Sequence, residues 1–215
     1  GVVGVVNHNN MPIHILRVFN TGSTSTSNVV AAMYECEARG ANVVNMSLGS
    51  TKKSSLFQPA LDKILGRNDR IIFIAAPGNA GDLSYGWPAS MPEFVSVTSL
   101  DSKKERSFFS QYNNQIDLAA PGSNILSTHP SNRYANFMGT SVAAPHVSAV
   151  VAKIWSHEPS MTAKQARVLL ESTAEELGSK GRDNSFGWGM VDALTAYRVL
   201  VPPTPAPTKL PTRVP

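Results

Sequence analysis

The sequence has little of several things, and each shortage excludes a class of protein. Cys36 is the only cysteine, so no intrachain disulfide and no cysteine-based zinc site can form. Charged residues make up 16% of the chain, against roughly 25% in an average soluble domain. No basic run is interleaved with aromatic residues, which disfavours nucleic-acid binding. No apolar stretch reaches the length of about 18 residues that predicts a membrane span.

The two ends of the chain differ from the rest. The first residue is Gly1, not methionine, and it opens the short apolar run 1–6 (GVVGVV). A signal peptide needs a charged start, a longer apolar core and a cleavage site, so we interpret the N-terminus as a truncation. The last 14 residues contain six prolines. They predict an extended Pro/Thr-rich linker or tail over 201–215, after a folded domain over 1–200.

Segments typical of strands alternate with segments of helical periodicity. Apolar runs predict strands over 14–19, 42–48, 71–76, 94–100 and 116–119. Helices are predicted over 27–39, 55–65, 140–155, 162–177 and 191–200, the first of them capped by Ser27. The run 71–76 (IIFIAA) is apolar on both faces, as in a central parallel strand. The pattern predicts an α/β fold: a three-layer, doubly wound, mostly parallel sheet with helices on both faces.

The segment 139–147 (GTSVAAPHV) carries the strongest chemical signal. Ser141 stands at the start of a helix, after a glycine turn, and the residues that follow predict a helix buried nearly all round. Free N–H groups and the positive end of the dipole at a helix N-terminus would stabilise an oxyanion formed when Ser141 attacks a carbonyl. Pro145 is expected in the first turn, where the loss of an N–H costs least. The alternative is that Ser141 only caps the helix.

Four other segments accompany the Ser141 segment in order along the chain. They are 45–49 (NMSLG), 75–81 (AAPGNAG), 118–122 (LAAPG) and 186–193 (FGWGMVDA). Together the five segments resemble the subtilisin-like serine peptidases over about residues 1–200. The resemblance implies a serine endopeptidase that hydrolyses peptide bonds through an acyl-enzyme on Ser141. It assigns the side-chain amide of Asn79, with the backbone N–H of Ser141, to the oxyanion hole.

The resemblance also assigns two segments to substrate binding. One would pair with the substrate backbone, and the other would form the wall of the pocket for the residue before the scissile bond. They are, respectively, Ser47, Leu48 and Gly49, and Ala76, Pro77 and Gly78. Pro77 stands where the family usually has a small residue, so we expect a narrower or stiffer wall. The wall carries no charge, which predicts a preference for an apolar residue before the scissile bond.

The catalytic acid and base of the family have no counterpart in the sequence. Subtilisin carries its triad in the order Asp, His, Ser, and no His-Gly-Thr-His-like motif is present here. Residues 1–5 resemble the segment after that motif, so we expect both residues upstream of Gly1. His146 points about 140° away from Ser141 around the helix axis. The remaining histidines are interpreted as surface or strand residues: His8, His14, His129 and His157. We therefore expect the chain as given to be an inactive fragment.

Other functions fit the sequence less well. A catalytically inactive homologue, used as a binding or structural module, is the main alternative. A sedolisin-type acid peptidase is disfavoured because those enzymes have Asp where Asn79 stands. An α/β-hydrolase needs the motif Gly-x-Ser-x-Gly around its nucleophile, but here Ala143 occupies the position of the last glycine. A nucleotide site fails because residues 1–4 do not continue into a phosphate-binding motif.

The resemblance further implies what accompanies the enzyme. No cofactor is needed for catalysis; calcium is a common structural ion of the family, and we assign no metal ligands. Substrates would be proteins or peptides, and nucleic acid is not expected as a partner. We expect a monomer located outside the cell or in the secretory pathway.

Overall fold

A parallel sheet of four strands lies at the centre of the fold. The structure is a computed structural model that describes residues 2–6, 11–20 and 22–201. The strands are adjacent in sequence order: β1 (Val43–Met46), β2 (Ile72–Ala75), β3 (Phe94–Leu100) and β4 (Leu118–Pro121). All three pairings are parallel, with Val43 opposite Ile72, Phe73 opposite Phe94 and Val97 opposite Leu118. The predicted parallel sheet is confirmed.

Five helices and one hairpin complete the described elements. The helices are α1 (Thr26–Ala38), α2 (Phe57–Leu65), α3 (Thr140–His157), α4 (Ala163–Thr173) and α5 (Ala193–Leu200). The antiparallel hairpin consists of β5 (Ile125–His129) and β6 (Arg133–Phe137). Local sequence sets several boundaries. Thr162 and Gln165 form a capping box at the start of α4, and Gly40 adopts a left-handed conformation, with φ of +75°, after α1.

The sheet is covered on both faces, as predicted. Alternate side chains of β2 show why, because Ile72 and Ile74 belong to one hydrophobic cluster and Phe73 and Ala75 to another. The first cluster includes buried residues of α3, α4 and α5. The second includes buried residues of α1 and α2. Burying one Val, Leu, Ile or Phe side chain stabilises by about 1.5–3 kcal/mol, so both layers contribute strongly to stability.

Some predicted boundaries are wrong by a few residues. β1 ends at Met46, not 48, and Asn45 is exposed between buried Val44 and Met46, so this strand is buried on one face only. β4 begins at 118, not 116, because Leu118 is the first residue paired with β3. The cap of α1 is Ser25, whose hydroxyl accepts from the Asn28 N–H at 3.2 Å. α3 runs two residues further than predicted, and α4 ends four residues earlier.

The strand predicted over 14–19 does not form. Residues 11–20 have no regular secondary structure, and Ile13 and Ile15 are 77% and 83% exposed. A strand needs a neighbour for its N–H and C=O groups, and this segment pairs with none of the described strands. Two parts of the sequence predictions fall outside the residues that the structure describes. They are the predicted tail beyond Val201, and His8. Within the described part, no helix is long and apolar enough to span a bilayer.

Candidate active site

The predicted site residues lie where β1 and β2 end and α3 begins. Residues 47–49 follow β1, and residues 76–79 follow β2. The two strands are parallel neighbours, so both segments emerge at the same edge of the sheet. The Ala76 N–H donates to the Met46 carbonyl at 3.3 Å, which ties the two segments together. The fold therefore gathers residues that are about 30 and 90 positions apart in the sequence.

Ser141 and Asn79 direct three polar atoms around one small volume. Ser141 is the second residue of α3 and follows Gly139, whose φ is +148°. A Cβ atom added to Gly139 would lie 2.8 Å from Ser141 Oγ, 3.4 Å from Asn79 Nδ2 and 3.7 Å from the Ser141 backbone N. A side chain at position 139 would fill this volume. A hydroxyl, an amide donor and a backbone donor therefore converge there, as expected for a nucleophile beside an oxyanion hole.

Thr140 orients the amide of Asn79. The Asn79 Oδ1 atom accepts hydrogen bonds from the Thr140 backbone N–H at 2.9 Å and from the Thr140 hydroxyl at 3.0 Å. Thr140 is 1% exposed, so it holds this position against solvent. With Oδ1 engaged at the helix, Nδ2 remains available as a donor on the side of Ser141. The contact between Thr140 and Asn79 was not predicted from the sequence. The signal that could have indicated a role for Thr140 is its hydroxyl, directly before Ser141 in the motif.

Ser47 supports the helix that carries the nucleophile. The Ser47 hydroxyl donates to the Ser141 carbonyl at 2.7 Å. In an α-helix that carbonyl would accept from the N–H four residues later, but the residue there is Pro145. Pro145 thus lies in the second turn, not in the first as predicted, and the Ser47 hydroxyl supplies the donor that it lacks. The side chain of Ser47 is engaged with Ser141, and Asn45 Nδ2 donates to it at 2.9 Å.

The two predicted substrate-binding segments form a continuous uncharged surface. Ala76 and Pro77 are buried, Gly78 and Leu48 are half-buried, and Gly49 is exposed. A Cβ atom on Gly49 would lie 3.4 Å from the Trp87 carbonyl oxygen and 3.7 Å from that of Ala76. These are ordinary van der Waals distances, so residue 49 lies directly beside the backbone of Ala76 and Trp87.

A short backbone pairing lies behind this surface. Ser50 and Trp87 exchange two backbone hydrogen bonds of 2.8 Å. Gly86 lies so close to the Pro77 carbonyl that an added Cβ atom would be 1.8 Å from its oxygen. The segment 86–87 therefore supports the wall at Pro77 from behind.

None of the described histidines is hydrogen-bonded to Ser141. His146 Nδ1 lies 3.0 Å from the Val142 carbonyl oxygen on its own helix. His129 stacks on Phe137, with ring centroids 6.3 Å apart, and His157 packs edge-on against Tyr197 at 4.8 Å. His14 is exposed in the segment without regular structure. Among the described residues, no histidine is therefore hydrogen-bonded to Ser141 Oγ as a general base would be.

A second polar cluster surrounds Asp117, outside the Ser141 site. Arg167 Nη2 lies 2.7 Å from Asp117 Oδ1 and Arg167 Nε lies 2.8 Å from Glu171, while Arg182 lies 3.4 Å from Asp117. These groups line a cavity of about 330 Å³. Burial raises the pKa of Asp117, against the opposing effect of Arg167 and Arg182. The charges pair with one another, which indicates a structural link between β4, α4 and the C-terminal loop.

No metal centre is evident in the part of the chain that the structure describes. No group of three or more His, Cys, Asp or Glu side chains there is arranged to hold a metal ion. Cys36 is a free thiol, half-buried against the α1 and α2 cluster, and burial raises its pKa. A raised pKa keeps the thiol protonated and weakly nucleophilic.

The sequence is similar to those of known proteins over most of its length. Residues 2–189 match the model of the Subtilase family. The chain is 37% identical to subtilisin DY from Bacillus licheniformis over 88% of its length. It is 35% identical, over 92% of its length, both to subtilisin Savinase from Lederbergia lenta and to an alkaline protease from Alkalihalobacillus alcalophilus. The matches span 68%, 71% and 50% of these relatives' own lengths, in that order.

Solved structures share the fold. The subtilisin-like protease Apa1 from Pseudoalteromonas sp. AS-11 superimposes with a TM-score of 0.80 at 24% identity, over 94% of this chain and 81% of that chain. The prenylagaramide maturation protease PagA gives a TM-score of 0.75 at 26% identity, over 87% of this chain and 72% of that chain. These likenesses agree with the three-layer α/β architecture.

Proposed function

Because the chain belongs to the subtilase family of serine peptidases, we propose that it is the nucleophile-bearing part of a serine endopeptidase. Ser141 is the nucleophile, and Asn79 Nδ2 and the Ser141 N–H form the oxyanion hole. The observation that carries the proposal is the convergence of Ser141 Oγ, Ser141 N and Asn79 Nδ2 around one point beside Gly139. A serine that only caps a helix has no use for a side-chain amide donor held beside it by Thr140.

The proposed reaction follows from these groups. Ser141 Oγ attacks the carbonyl carbon of the scissile peptide while a base removes its proton, and the two oxyanion donors stabilise the negative charge on the carbonyl oxygen. The amine then leaves with a proton, and water hydrolyses the resulting ester on Ser141. The family supplies the base as a histidine oriented by an aspartate. We assign that base to a residue outside those that the structure describes.

We propose that the substrate binds to the surface formed by the segments that follow β1 and β2. Residues 47–49 would pair with an extended substrate through their backbone, because the Ser47 side chain already binds the Ser141 carbonyl. Ala76, Pro77 and Gly78 would form the wall of the pocket for the residue before the scissile bond. The absence of charge in both segments favours apolar residues there. A cleavage profile dominated by Lys or Arg would contradict this assignment.

The oxyanion role of Asn79 predicts a specific kinetic pattern. In subtilisin itself, loss of the oxyanion-hole asparagine lowers kcat by about 100- to 1,000-fold, and we adopt that range for Asn79→Ala in the full-length protein. KM should change little, because the amide acts on charge that develops in the transition state. An equal loss in kcat and in substrate binding would indicate a structural role instead.

The test of the proposed function is peptide hydrolysis by the full-length protein. Ser141→Ala should abolish turnover, whereas Ser156→Ala should leave it unchanged. Ser156 is a matched control on the same helix, since it is exposed and its hydroxyl donates to the Lys153 carbonyl. If the full-length protein cleaves no peptide, the chain is instead an inactive subtilase homologue that acts as a binding or structural module.

We further propose an extracellular, monomeric enzyme that needs no cofactor for catalysis.

A further inference from the structure

The oxyanion residue Asn79 lies on a loop that needs support from elsewhere. Residues 77–86 connect β2 towards β3 and contain no helix or strand. Donors in an oxyanion hole stabilise charge only if they are fixed before the reaction. Thr140 holds the amide oxygen of Asn79 from the helix side. A second support is required for the backbone of the loop itself, because a side chain is only as well placed as its own Cα atom.

Gln111 spans this loop from the other side. Its side chain is 4% exposed and its Nε2 atom donates to the Ser84 carbonyl at 2.9 Å and to the Ser84 hydroxyl at 2.6 Å. Its backbone N–H donates to the Gly78 carbonyl at 3.2 Å. One buried glutamine therefore binds residues 78 and 84, on either side of Asn79 in the sequence. Buried hydrogen bonds of this kind are costly to lose, because a lost partner leaves a polar group unsatisfied.

The amide oxygen of Gln111 occupies the place of a side chain at position 78. An ideal Cβ atom on Gly78 would lie 1.5 Å from Gln111 Oε1 and 2.7 Å from its Cδ. Gly78 also has a φ of +122°, a conformation that favours glycine. Gly78 directly precedes Asn79, and its N–H donates to the Thr140 hydroxyl at 3.3 Å. Gln111 and Thr140 thus contact the same glycine from two directions.

We propose that Gln111 is a positioning residue that holds the 78–84 loop, and through Gly78 holds Asn79, in the geometry of the oxyanion hole. The proposal rests on the proposed function. Gln111 does not touch the reacting atoms and acts only through Asn79. Loss of its amide leaves the Ser84 carbonyl with the Asn113 side chain as its remaining donor, at 2.9 Å. It also removes the amide oxygen that packs against Gly78, so that the backbone hydrogen bond from residue 111 alone holds Gly78 on that side.

The test compares two glutamines in the full-length protein. Gln111→Met keeps the length and removes the amide, and we expect kcat to fall about tenfold, since small displacements of catalytic groups have effects of this order or larger. KM should change less. Gln115→Met is the control, because Gln115 Nε2 reaches only Asn114, at 3.4 Å, and kcat should stay within twofold. In an Asn79→Ala background, Gln111→Met should cause no further loss of kcat.

Two results would overturn the proposal in an active enzyme. The first is an unchanged kcat in Gln111→Met. The second is that Gln111→Met lowers kcat by the same factor in the wild-type and in the Asn79→Ala background, which would mean that Gln111 acts on overall structure. If the wild type neither cleaves peptide nor reacts at Ser141, the proposed function fails separately. Backbone hydrogen exchange of residues 78–84 then decides the positioning role. Faster exchange in Gln111→Met than in Gln115→Met supports it, and equal exchange contradicts it.

Discussion

Of the apolar segments predicted as strands, 71–76 forms the central strand β2, whereas 14–19 forms no strand. β2 lies between β1 and β3, and all four of its residues are buried. Residues 14–19 have no regular secondary structure and no partner among the described strands, and Ile15 beside His14 is largely exposed. The difference is the neighbourhood, because strand preference reflects packing and pairing more than an intrinsic backbone preference. The apolar pattern identifies a candidate strand, and the tertiary structure decides whether it pairs.

The same contrast separates the site from the N-terminal segment. The contacts that orient Ser141 and Asn79 come from β1, α3 and the loops after β1, β2 and β3, which belong to the packed part. Of residues 2–6, the Val5 carbonyl accepts from Lys153 Nζ at 3.4 Å, a contact exposed to solvent. The packed part should therefore determine both stability and the geometry of the nucleophile.

The largest expected effect tests this contrast with two single substitutions. Phe73→Ala removes a fully buried ring that packs on Phe94 at a centroid distance of 5.5 Å. We expect a loss of about 3–5 kcal/mol in the free energy of unfolding. Ile15→Ala in the exposed segment should change it by less than about 0.5 kcal/mol. Urea unfolding of both variants checks the prediction. Comparable losses would mean that residues 14–19 are packed in the native protein.

The next effect concerns buried charge in the packed part. Arg167→Met leaves Asp117, which is 4% exposed, with the longer contact to Arg182 as its ion pair and with the Ser96 N–H, which donates to its Oδ2 at 2.8 Å. Removing one partner of a buried ion pair is strongly destabilising, and we expect about 3 kcal/mol from thermal or urea unfolding. Arg39→Met is the control, because its pair with Glu35 lies on the surface of α1, with Arg39 62% exposed. That variant should lose no more than about 0.5 kcal/mol. Equal losses would show that Asp117 is solvated in solution.

The smallest effect lies at the boundary of the packed part. The Asp192 carboxylate caps α5, and hydrogen bonding from the Thr195 hydroxyl lowers its pKa. A carboxylate whose pKa is lower in the folded state stabilises the fold above its unfolded pKa, and this stabilisation disappears as the pH falls through the folded pKa. Asp192→Ala should therefore lower the free energy of unfolding by about 1 kcal/mol at pH 7. The difference in this free energy between wild type and variant should narrow below about pH 4.

Asp192→Asn separates capping from charge in the same experiment. Asparagine caps helices about as well as aspartate, so this variant should keep most of the stability at pH 7. It should also lose the pH dependence that Asp192 contributes. A gap between wild type and Asp192→Ala that stays constant from pH 7 to pH 3 would contradict the charged cap.

The fold, and the place of Ser141 at the start of α3, could be predicted from the sequence because their signals are local. β3 follows the predicted bounds because an apolar run there is bounded by turns, and α3 is identified by small apolar residues around its circumference. Gly139 and Ser141 stand within one motif, and the motifs around Asn45 and Asn79 lie at the ends of neighbouring strands. The layer order follows from the alternation of strands and helices.

The residues that position the site could not be predicted, because their partners are distant in the sequence. Thr140 acts on Asn79 across 61 positions, and the Ser47 hydroxyl acts on the Ser141 carbonyl across 94. No local pattern distinguishes the Gln111 amide from that of Gln115, yet only the Gln111 amide contacts the 78–84 loop, which carries Asn79. Pro145 shows the same limit, since its place in the second turn becomes meaningful only when Ser47 supplies the missing donor.

The most direct test of the account is to locate the covalent adduct of a fluorophosphonate on the full-length protein. Such a probe reacts with a serine hydroxyl that is activated by a base and held beside oxyanion donors. We expect a single adduct, assigned by peptide mass spectrometry to Ser141, that is absent in Ser141→Ala and retained in Ser156→Ala. An adduct on another residue, or labelling that survives Ser141→Ala, would contradict the claim that the packed part of this chain holds the nucleophile.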